Sequence, residues 1–527
     1  MTAGERTARA LEGPAAPLGF WNIAAADPER SAVIDPDGTA TTFGALLERS
    51  RRLADTLRSL GIGPGDHVAV MLPNRGSFFE VLLGAFESGV IAVPVNSHLA
   101  AGEVAHVLAD SDAKAFIAHE AFAGVARLAA RDLPGAYRFA VGGIDGFRPY
   151  PELLAGNAAV PRPRVAGTTM MYTSGTTGKP KGVQRQRVAG DPDEVYGRVA
   201  EITCRGFGVP VGAHRHLVCG PLYHAGPFVG AFNSLHVGAT IVLMDKWTPE
   251  QCLALIEEHR IESTYMVPTM FYRLLSLPDA VRAAADVSSV KSVFHTGAPC
   301  PVTVKQRMLD WWGPVVYETY GGTESSGTIA TPKRWLEKPG TVGKPIHGVA
   351  VRILDASGRE LPPGEVGEIW MESAAGPSEY YKDPVKTAQM RRGRMVTLGD
   401  VGYLDEDGYL FLRDRRIDLI ISGGANIYPA EVEAALLEDP LIADVAVIGI
   451  PDEEWGEQVK AIVELKPGVS PDPSAASGII GRCRMRIAHY KCPRTVDFVE
   501  HLPRLPNGKV EKRRLREPYW AARDSAI

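Results

Sequence analysis

The chain has 527 residues, 45% hydrophobic and 23% charged, with a formal net charge of −5, which is the make-up of a globular protein able to hold one large domain and a smaller one. It has no basic excess to attract DNA or RNA, and no run of about 18 apolar residues to span a membrane. Its six cysteines show neither a CxxC pair nor metal-ligand spacing, and the opening MTAGERTARALEG lacks an apolar core; both argue against export and for the cytoplasm.

Apolar residues recur at helical spacing from Thr42 to Leu60, a glycine turn follows at Gly61 to Gly65, and His67 to Leu72 is a buried strand. The pattern repeats, with a helix at Phe78 to Ser88, a strand at Ile91 to Val95, a helix at Ala101 to Asp110 and a strand at Ala115 to Ala118. Such alternation predicts parallel sheets covered by helices on both faces. After a proline-rich interval around Pro161 to Gly167, a strand is expected at Thr168 to Thr173. Strands at Thr240 to Leu243, Ser263 to Val267 and Ser292 to His295 and a helix at Pro249 to His259 continue the alternation. Beyond Gly340, short runs between Gly/Pro turns (Val349 to Leu354, Gly367 to Met371, Tyr409 to Arg413) predict a β-rich subdomain. The expected fold class is α/β: a large N-terminal domain, 1–413, of parallel-rich sheets with helices and a β-rich subdomain, and a small α+β C-terminal domain, 414–527, joined by a hinge.

Tyr172 to Val183, YTSGTTGKPKGV, is the strongest chemical signal. Glycine and small side chains let backbone N–H groups approach phosphate oxygens, Thr173, Ser174, Thr176 and Thr177 add hydroxyls around Gly175, and Lys179 and Lys181 add charge. The spacing is not that of the Walker loop. Downstream stand YGGTE (Tyr320 to Glu324, preceded by Glu318 and Thr319), HTGAP at a strand end (His295 to Pro299), PLYHAGP around His224, TLGD ending in Asp400, LRDRRIDLI with Arg415, SGGAN with Gly423 and Gly424, and LPNGK ending in Lys509. Read singly, each of these is an ordinary turn or a solvated charge.

Taken together these motifs resemble the adenylate-forming superfamily of acyl-CoA synthetases, nonribosomal peptide adenylation domains and luciferases, over most of the chain. The resemblance implies a loop that clamps the β- and γ-phosphates of ATP, Glu324 as the Mg²⁺ ligand with Thr176 beside it, and Thr323 at the α-phosphate. It implies Tyr320 against the adenine with Gly297, Ala298 and Pro299, Glu318 beside the nucleotide, Asp400 on the ribose hydroxyls and Arg415 on ribose and phosphate. His224 then borders the acyl pocket, Gly423 and Gly424 line a pantetheine channel, and Lys509 bridges carboxylate and α-phosphate. The hinge position falls on Ile417, where relatives carry Asp or Lys, with Asp418 next. Candidate pocket residues are Phe228, Phe232, His295 and Thr296, with Gly321 and Gly322 near the floor; phenylalanine and histidine suit an aromatic or medium-sized apolar acid.

The implied activity is ATP-dependent formation of an acyl-adenylate, with Mg²⁺, followed by transfer to coenzyme A, the acceptor expected because no carrier-protein domain follows residue 527. An amide-bond synthetase that passes the adenylate to an amine is the alternative, and a nucleotide-binding pseudoenzyme the second. The expected partners are a small carboxylic acid and coenzyme A or an amine; a homodimer is admissible.

Overall fold

A computed structural model describes residues 18–159, 164–173, 180–185, 189–298, 300–374, 376–415, 418–422, 425–452, 455–505 and 508–520. Its sheets follow the alternation of the sequence. Arg148–Pro149, Arg138–Val141, Ala113–His119, His67–Met71, Ile91–Pro94 and Thr168–Thr169 lie side by side in an all-parallel six-stranded sheet. Its inner strand His67–Met71 is buried at every position, as a strand covered on both faces must be.

The second sheet has nine strands, ordered Lys344–Pro345, Ser326–Ala330, Val316–Gly321, Ser292–His295, Ser263–Met266, Arg215–Val218, Thr240–Leu243, Ser31–Ile34 and Ala40–Thr42. Its middle is parallel and its edges antiparallel.

Between these sheets run the helices Phe43–Ser59, Gly76–Glu87 and Ala225–His236, sharing one apolar core with Val68, Val70 and Ile117 of the first sheet and Val33, Val218 and Ile241 of the second. Phe43–Ser59 starts where Thr42 Oγ1 accepts from the Ala45 N–H at 3.2 Å, satisfying one of the first turn's open donors. Gly76–Glu87 is buried at almost every position, its two carboxylates Glu80 and Glu87 paired with Arg49 and Arg51, as befits a helix held between two sheets. Phe232 stacks on Phe79 and on Phe228 with centroids 4.9 and 4.3 Å apart, and Phe86 meets Phe228 and Phe232 edge-on. Each such ring contributes roughly 1.5–3 kcal/mol through burial.

The expected strand Thr168 to Thr173 divides at Met170. Thr168–Thr169 ends the six-stranded sheet, while Met171–Thr173 pairs antiparallel with Lys181–Gln184, which in turn pairs with Glu379–Tyr380. The β-rich subdomain forms an antiparallel sheet of Val349–Leu354, Gly367–Ser373, Met395–Leu404, Arg391–Arg392 and Leu410–Arg415. Its last strand runs two residues past the expected boundary at 413.

C-terminal to it, Ile420–Ser422, Ala425–Ile427, Ile442–Asp452, Gly456–Leu465 and Thr495–Val499 make a separate sheet, covered by Pro429–Leu437 and Pro473–Arg484 with a core of its own. The architecture is mixed α/β, parallel-rich in the N-terminal part. No described helix is long and apolar enough to cross a membrane.

Candidate active site

Strands Ser263–Met266, Ser292–His295 and Val316–Gly321 are parallel and in register, so their C-terminal ends open on one edge, where ligands bind in such sheets. Thr296 and Gly297 follow one strand and Gly322 to Ser325 another. Gly297 has φ 91°, a conformation suited to glycine.

The Tyr320 hydroxyl donates to Asp400 Oδ2 at 2.9 Å, and Asp400 lies opposite Arg415 in the neighbouring strand pair. Three residues far apart in the chain therefore meet at this edge. The turn carrying Thr323 and Glu324 is held from outside: Arg185 donates to the Thr323 carbonyl from Nε (3.1 Å) and Nη2 (2.7 Å), and Ser378 Oγ donates to the Glu324 carbonyl. The Tyr380 hydroxyl donates to Glu324 Oε1 at 3.0 Å. Gly322 permits this fold, because a Cβ there would stand 3.0 Å from Glu324 Oε2 and 3.1 Å from Leu398 Cδ2. No cluster of three or more His, Cys, Asp and Glu able to hold a metal occurs among the described residues. A single oriented carboxylate nevertheless suits Mg²⁺, which keeps several waters and takes further oxygens from phosphates.

The strand pair Met171–Thr173 and Lys181–Gln184 makes the signature motif a hairpin, with Thr173 opposite Lys181. Lys181 Nζ lies 5.2 Å from the Tyr380 ring centroid, which places the hairpin base beside Glu324. Ser174, Gly175, Thr176, Thr177, Pro299, Ile417, Gly423 and Gly424 lie outside the described residues, as does the side chain of Arg415.

The C-terminal unit reaches this edge through one turn. Leu505 and Lys509 are joined by a backbone hydrogen bond of 2.8 Å, and Gly508, at φ 82°, passes so close to Thr269 that a Cβ would meet its Oγ1 at 2.9 Å. Lys509 is thereby delivered into the cleft, its Cε 4.0 Å from where a Gly297 Cβ would stand. His224, which precedes the helix Ala225–His236, feels the same ammonium. Burial first, then Lys509 and His98, hold its pKa down to about 4, and its buried Nε2 has no hydrogen-bond partner among the described residues. The helix then runs close to the sheet. A Cβ on Gly226 would stand 2.4 Å from Tyr265 Cζ, and the Tyr265 hydroxyl donates at 3.5 Å to the Thr296 carbonyl.

Four further expected residues have buried surroundings. Phe228 and Phe232 belong to the aromatic core between the sheets. His295 and Glu318 lie opposite each other in register, both buried. The Lys305 ammonium donates to Glu318 Oε2 at 2.8 Å, His295 Nε2 lies 3.6 Å from the same oxygen, and Phe271 packs edge-on against the His295 ring at 5.2 Å. Burial outweighs Lys305 and raises the Glu318 pKa, while burial and Lys305 together push that of His295 far down. Sequence reasoning missed Tyr265, Tyr380 and Arg185. Alternation in STYM and SVFH carried the signal for Tyr265; none marked the other two.

Two family models match the chain: "AMP-binding enzyme" over residues 20–381 and "AMP-binding enzyme C-terminal domain" over residues 431–509. A feruloyl-CoA synthase of an Amycolatopsis species is 35% identical over 516 residues, 95% of this chain and 99% of that protein. A fatty acid–[acyl-carrier-protein] ligase, ScoC of Streptomyces coeruleorubidus, is 32% identical over 518 residues, 95% of each. Among solved structures, the amide bond synthetase McbA from Marinactinospora thermotolerans superposes with a TM-score of 0.82 at 29% identity, covering 95% of this chain and 99% of its own. With both models matched in order and relatives aligned nearly end to end, the chain belongs to the AMP-binding enzyme family, the adenylate-forming superfamily that its motifs resemble.

Proposed function

We propose that this enzyme activates a carboxylic acid with ATP and transfers the acyl group to coenzyme A, yielding acyl-CoA, AMP and pyrophosphate. The observation that carries this reading is Lys509, brought from the C-terminal unit to Gly297 and into the field of His224. A carboxylate and a triphosphate repel each other, and an ammonium between them offsets that repulsion where charge grows. A carboxylate oxygen attacks the α-phosphorus, the bond to the β-phosphate oxygen breaks, and pyrophosphate leaves. In the second step the thiolate sulfur attacks the acyl carbon and AMP departs.

Glu324, with Thr176, would hold Mg²⁺, which when bound neutralises phosphate charge. Thr323 would meet the α-phosphate, Tyr320 the adenine and Asp400 the ribose, with Arg415 across the strand pair. Tyr320 and Asp400 are already joined by a hydrogen bond, so both sit preorganised. Residues 1–413 would act as the platform and 414–527 as the part that moves, pivoting near Ile417 and Asp418, so that Lys509 serves adenylation and withdraws for thiol transfer. Thr296, Gly297, Gly226 and Tyr265 would line the acid site. Tyr265 fills the groove that Gly226 leaves, which favours a compact acid over a long chain. A reducing compartment such as the cytoplasm suits the six free thiols.

Pyrophosphate release over a panel of aryl and aliphatic acids, with and without coenzyme A, tests the reading. A thioester product supports it, and no release with any acid overturns it. The McbA likeness favours one second reading, an amine as acceptor. It predicts adenylate that accumulates with coenzyme A and is consumed when an amine is supplied.

A further inference from the structure

The small sheet that carries the signature hairpin has three strands, Glu379–Tyr380, Lys181–Gln184 and Met171–Thr173 in that order. Side chains tie all three to one short segment, residues 106–112, which is the end of the helix Ala101–Asp110 and the turn after it. His106 Nε2 lies 3.2 Å from the Pro180 carbonyl oxygen; a carbonyl only accepts, so that nitrogen carries the hydrogen. The Tyr172 hydroxyl donates to Asp110 Oδ2 at 2.6 Å. At positions 106 and 110 the two side chains lie one turn apart on the same helix face.

Tyr172 and Pro180 stand on the two sides of the hairpin. Pro180 runs into Lys181, which pairs with Thr173, and Gly182 pairs with Tyr172. The Tyr172 ring leans over Gly182, where a Cβ would stand 3.1 Å from its Cζ, so the ring is held at the glycine as well as at its hydroxyl. An aspartate ending a helix meets the negative end of the helix dipole, and the Tyr172 hydroxyl gives that carboxylate a partner. Asp112, at φ 50°, reaches the third strand: it accepts from the Tyr381 hydroxyl at 3.0 Å and pairs with Lys382 at 2.6 Å. That last tie is exposed and therefore the weakest.

We propose that the helix Ala101–Asp110 is the anchor that positions the signature hairpin for ATP, His106 holding the return strand and Asp110 the leading one. This rests on the adenylating reading of the cleft. Both are positioning residues, acting through the Pro180 carbonyl and the Tyr172 ring. A run of glycines and small side chains such as SGTTG is conformationally permissive, and fixing both of its ends lowers the entropy lost when it orders on phosphate. The effect falls on the nucleotide and spares the acid, whose proposed lining comes from other elements. It also spares acyl transfer, because pyrophosphate has departed by then.

The test uses the full chain. In acid-dependent ATP–pyrophosphate exchange, His106→Leu and Asp110→Ala each raise the KM for ATP by about tenfold, the effect of one lost hydrogen bond. The KM for the acid and the rate of transfer from preformed acyl-adenylate stay within about twofold. His106→Gln, which keeps an N–H, and Asp110→Asn, which keeps an acceptor, return to within about threefold of the parent. An unchanged KM for ATP in both removals, or equal losses in both half-reactions with no recovery in the conservative variants, overturns the proposal. Calorimetric titration with magnesium ATP separates it from the adenylating reading. If the parent activates no acid, yet both removals weaken magnesium ATP about tenfold and speed amide hydrogen exchange in Met171–Thr173 and Lys181–Gln184, the anchor stands and the adenylating reading falls. Equal ATP binding by parent and variants removes the anchor.

Discussion

The two faces of the strands Ser263–Met266, Ser292–His295 and Val316–Gly321 are built from neighbouring residues and do different work. Tyr265, Phe294 and Tyr317 share one face by register, where Phe207 stacks on Phe294 at 4.9 Å and Tyr265 fills the groove at Gly226. Met266, His295 and Glu318 share the other, pressed against Phe271 and Lys305. The residues with the more reactive chemistry, a histidine, a carboxylate and a lysine, are on the face that packs. Glycine and aromatic rings make the face that would meet the acid on the proposed reading.

The sharpest way to break this comparison is to remove the buried ammonium. Lys305→Met leaves the Glu318 carboxyl sealed without its cation and should cost about 3–5 kcal/mol of stability, read as a lower midpoint in urea unfolding. Lys305→Met combined with Glu318→Gln should recover most of that loss. A Lys305→Met protein of undiminished stability but impaired adenylation would return Glu318 to the nucleotide site. Lys509→Ala is the counterpart from the reactive side. It should lower the rate of acid-dependent pyrophosphate exchange by about two orders of magnitude, roughly 3 kcal/mol in the transition state. Unfolding and transfer from preformed adenylate should stay as they were, and normal exchange would remove Lys509 from the chemistry.

Much of this was legible in the sequence where local pattern and motif coincide. Thr240–Leu243 and Ser292–His295 fall at the strand limits expected, because continuous apolar runs between turns leave little choice. Tyr320, Asp400 and Lys509 were found through motifs and do converge on one edge. The stacking of Phe228 and Phe232 was not legible, since a phenylalanine in a core differs from one in a pocket wall only in what lies across from it. That information belongs to the helix Gly76–Glu87 and is carried by Phe79 and Phe86. Arg185 and Tyr380 were invisible for a related reason: each acts by reaching a turn more than 50 residues away in sequence.

A smaller perturbation sharpens the comparison at the acid face. Gly226→Ala puts a methyl group 2.4 Å from Tyr265 Cζ, and relieving that contact should cost about 1–3 kcal/mol. If Tyr265 bounds the acid, kcat/KM falls about tenfold for the preferred acid, and Tyr265→Leu in the same chain restores it. Equal losses for every acid, unrelieved by the second change, would make Gly226 a packing residue.

The last effect is spread over both faces. Burial holds the pKa of His216 and of His236 down to about 3, against 6.5 for an unburied histidine, and that of His295 falls far below it too. These rings are neutral in the fold and take up protons once it opens, so the unfolded chain binds more protons at every pH between the two values. Their contribution is complete above about pH 6.5 and is lost as the pH falls from there toward about 3. Each can add up to about 1.4 kcal/mol per pH unit to the slope of stability against pH. His216→Leu, on the acid face, and His295→Leu, on the packed face, should each flatten that slope by close to one proton between pH 6 and 4, measured by urea unfolding at each pH. Acid sensitivity follows burial, which both faces share. A His295→Leu protein with the parent's slope would show that His295 does not bury its ring neutral, and would reopen its place beside Glu318.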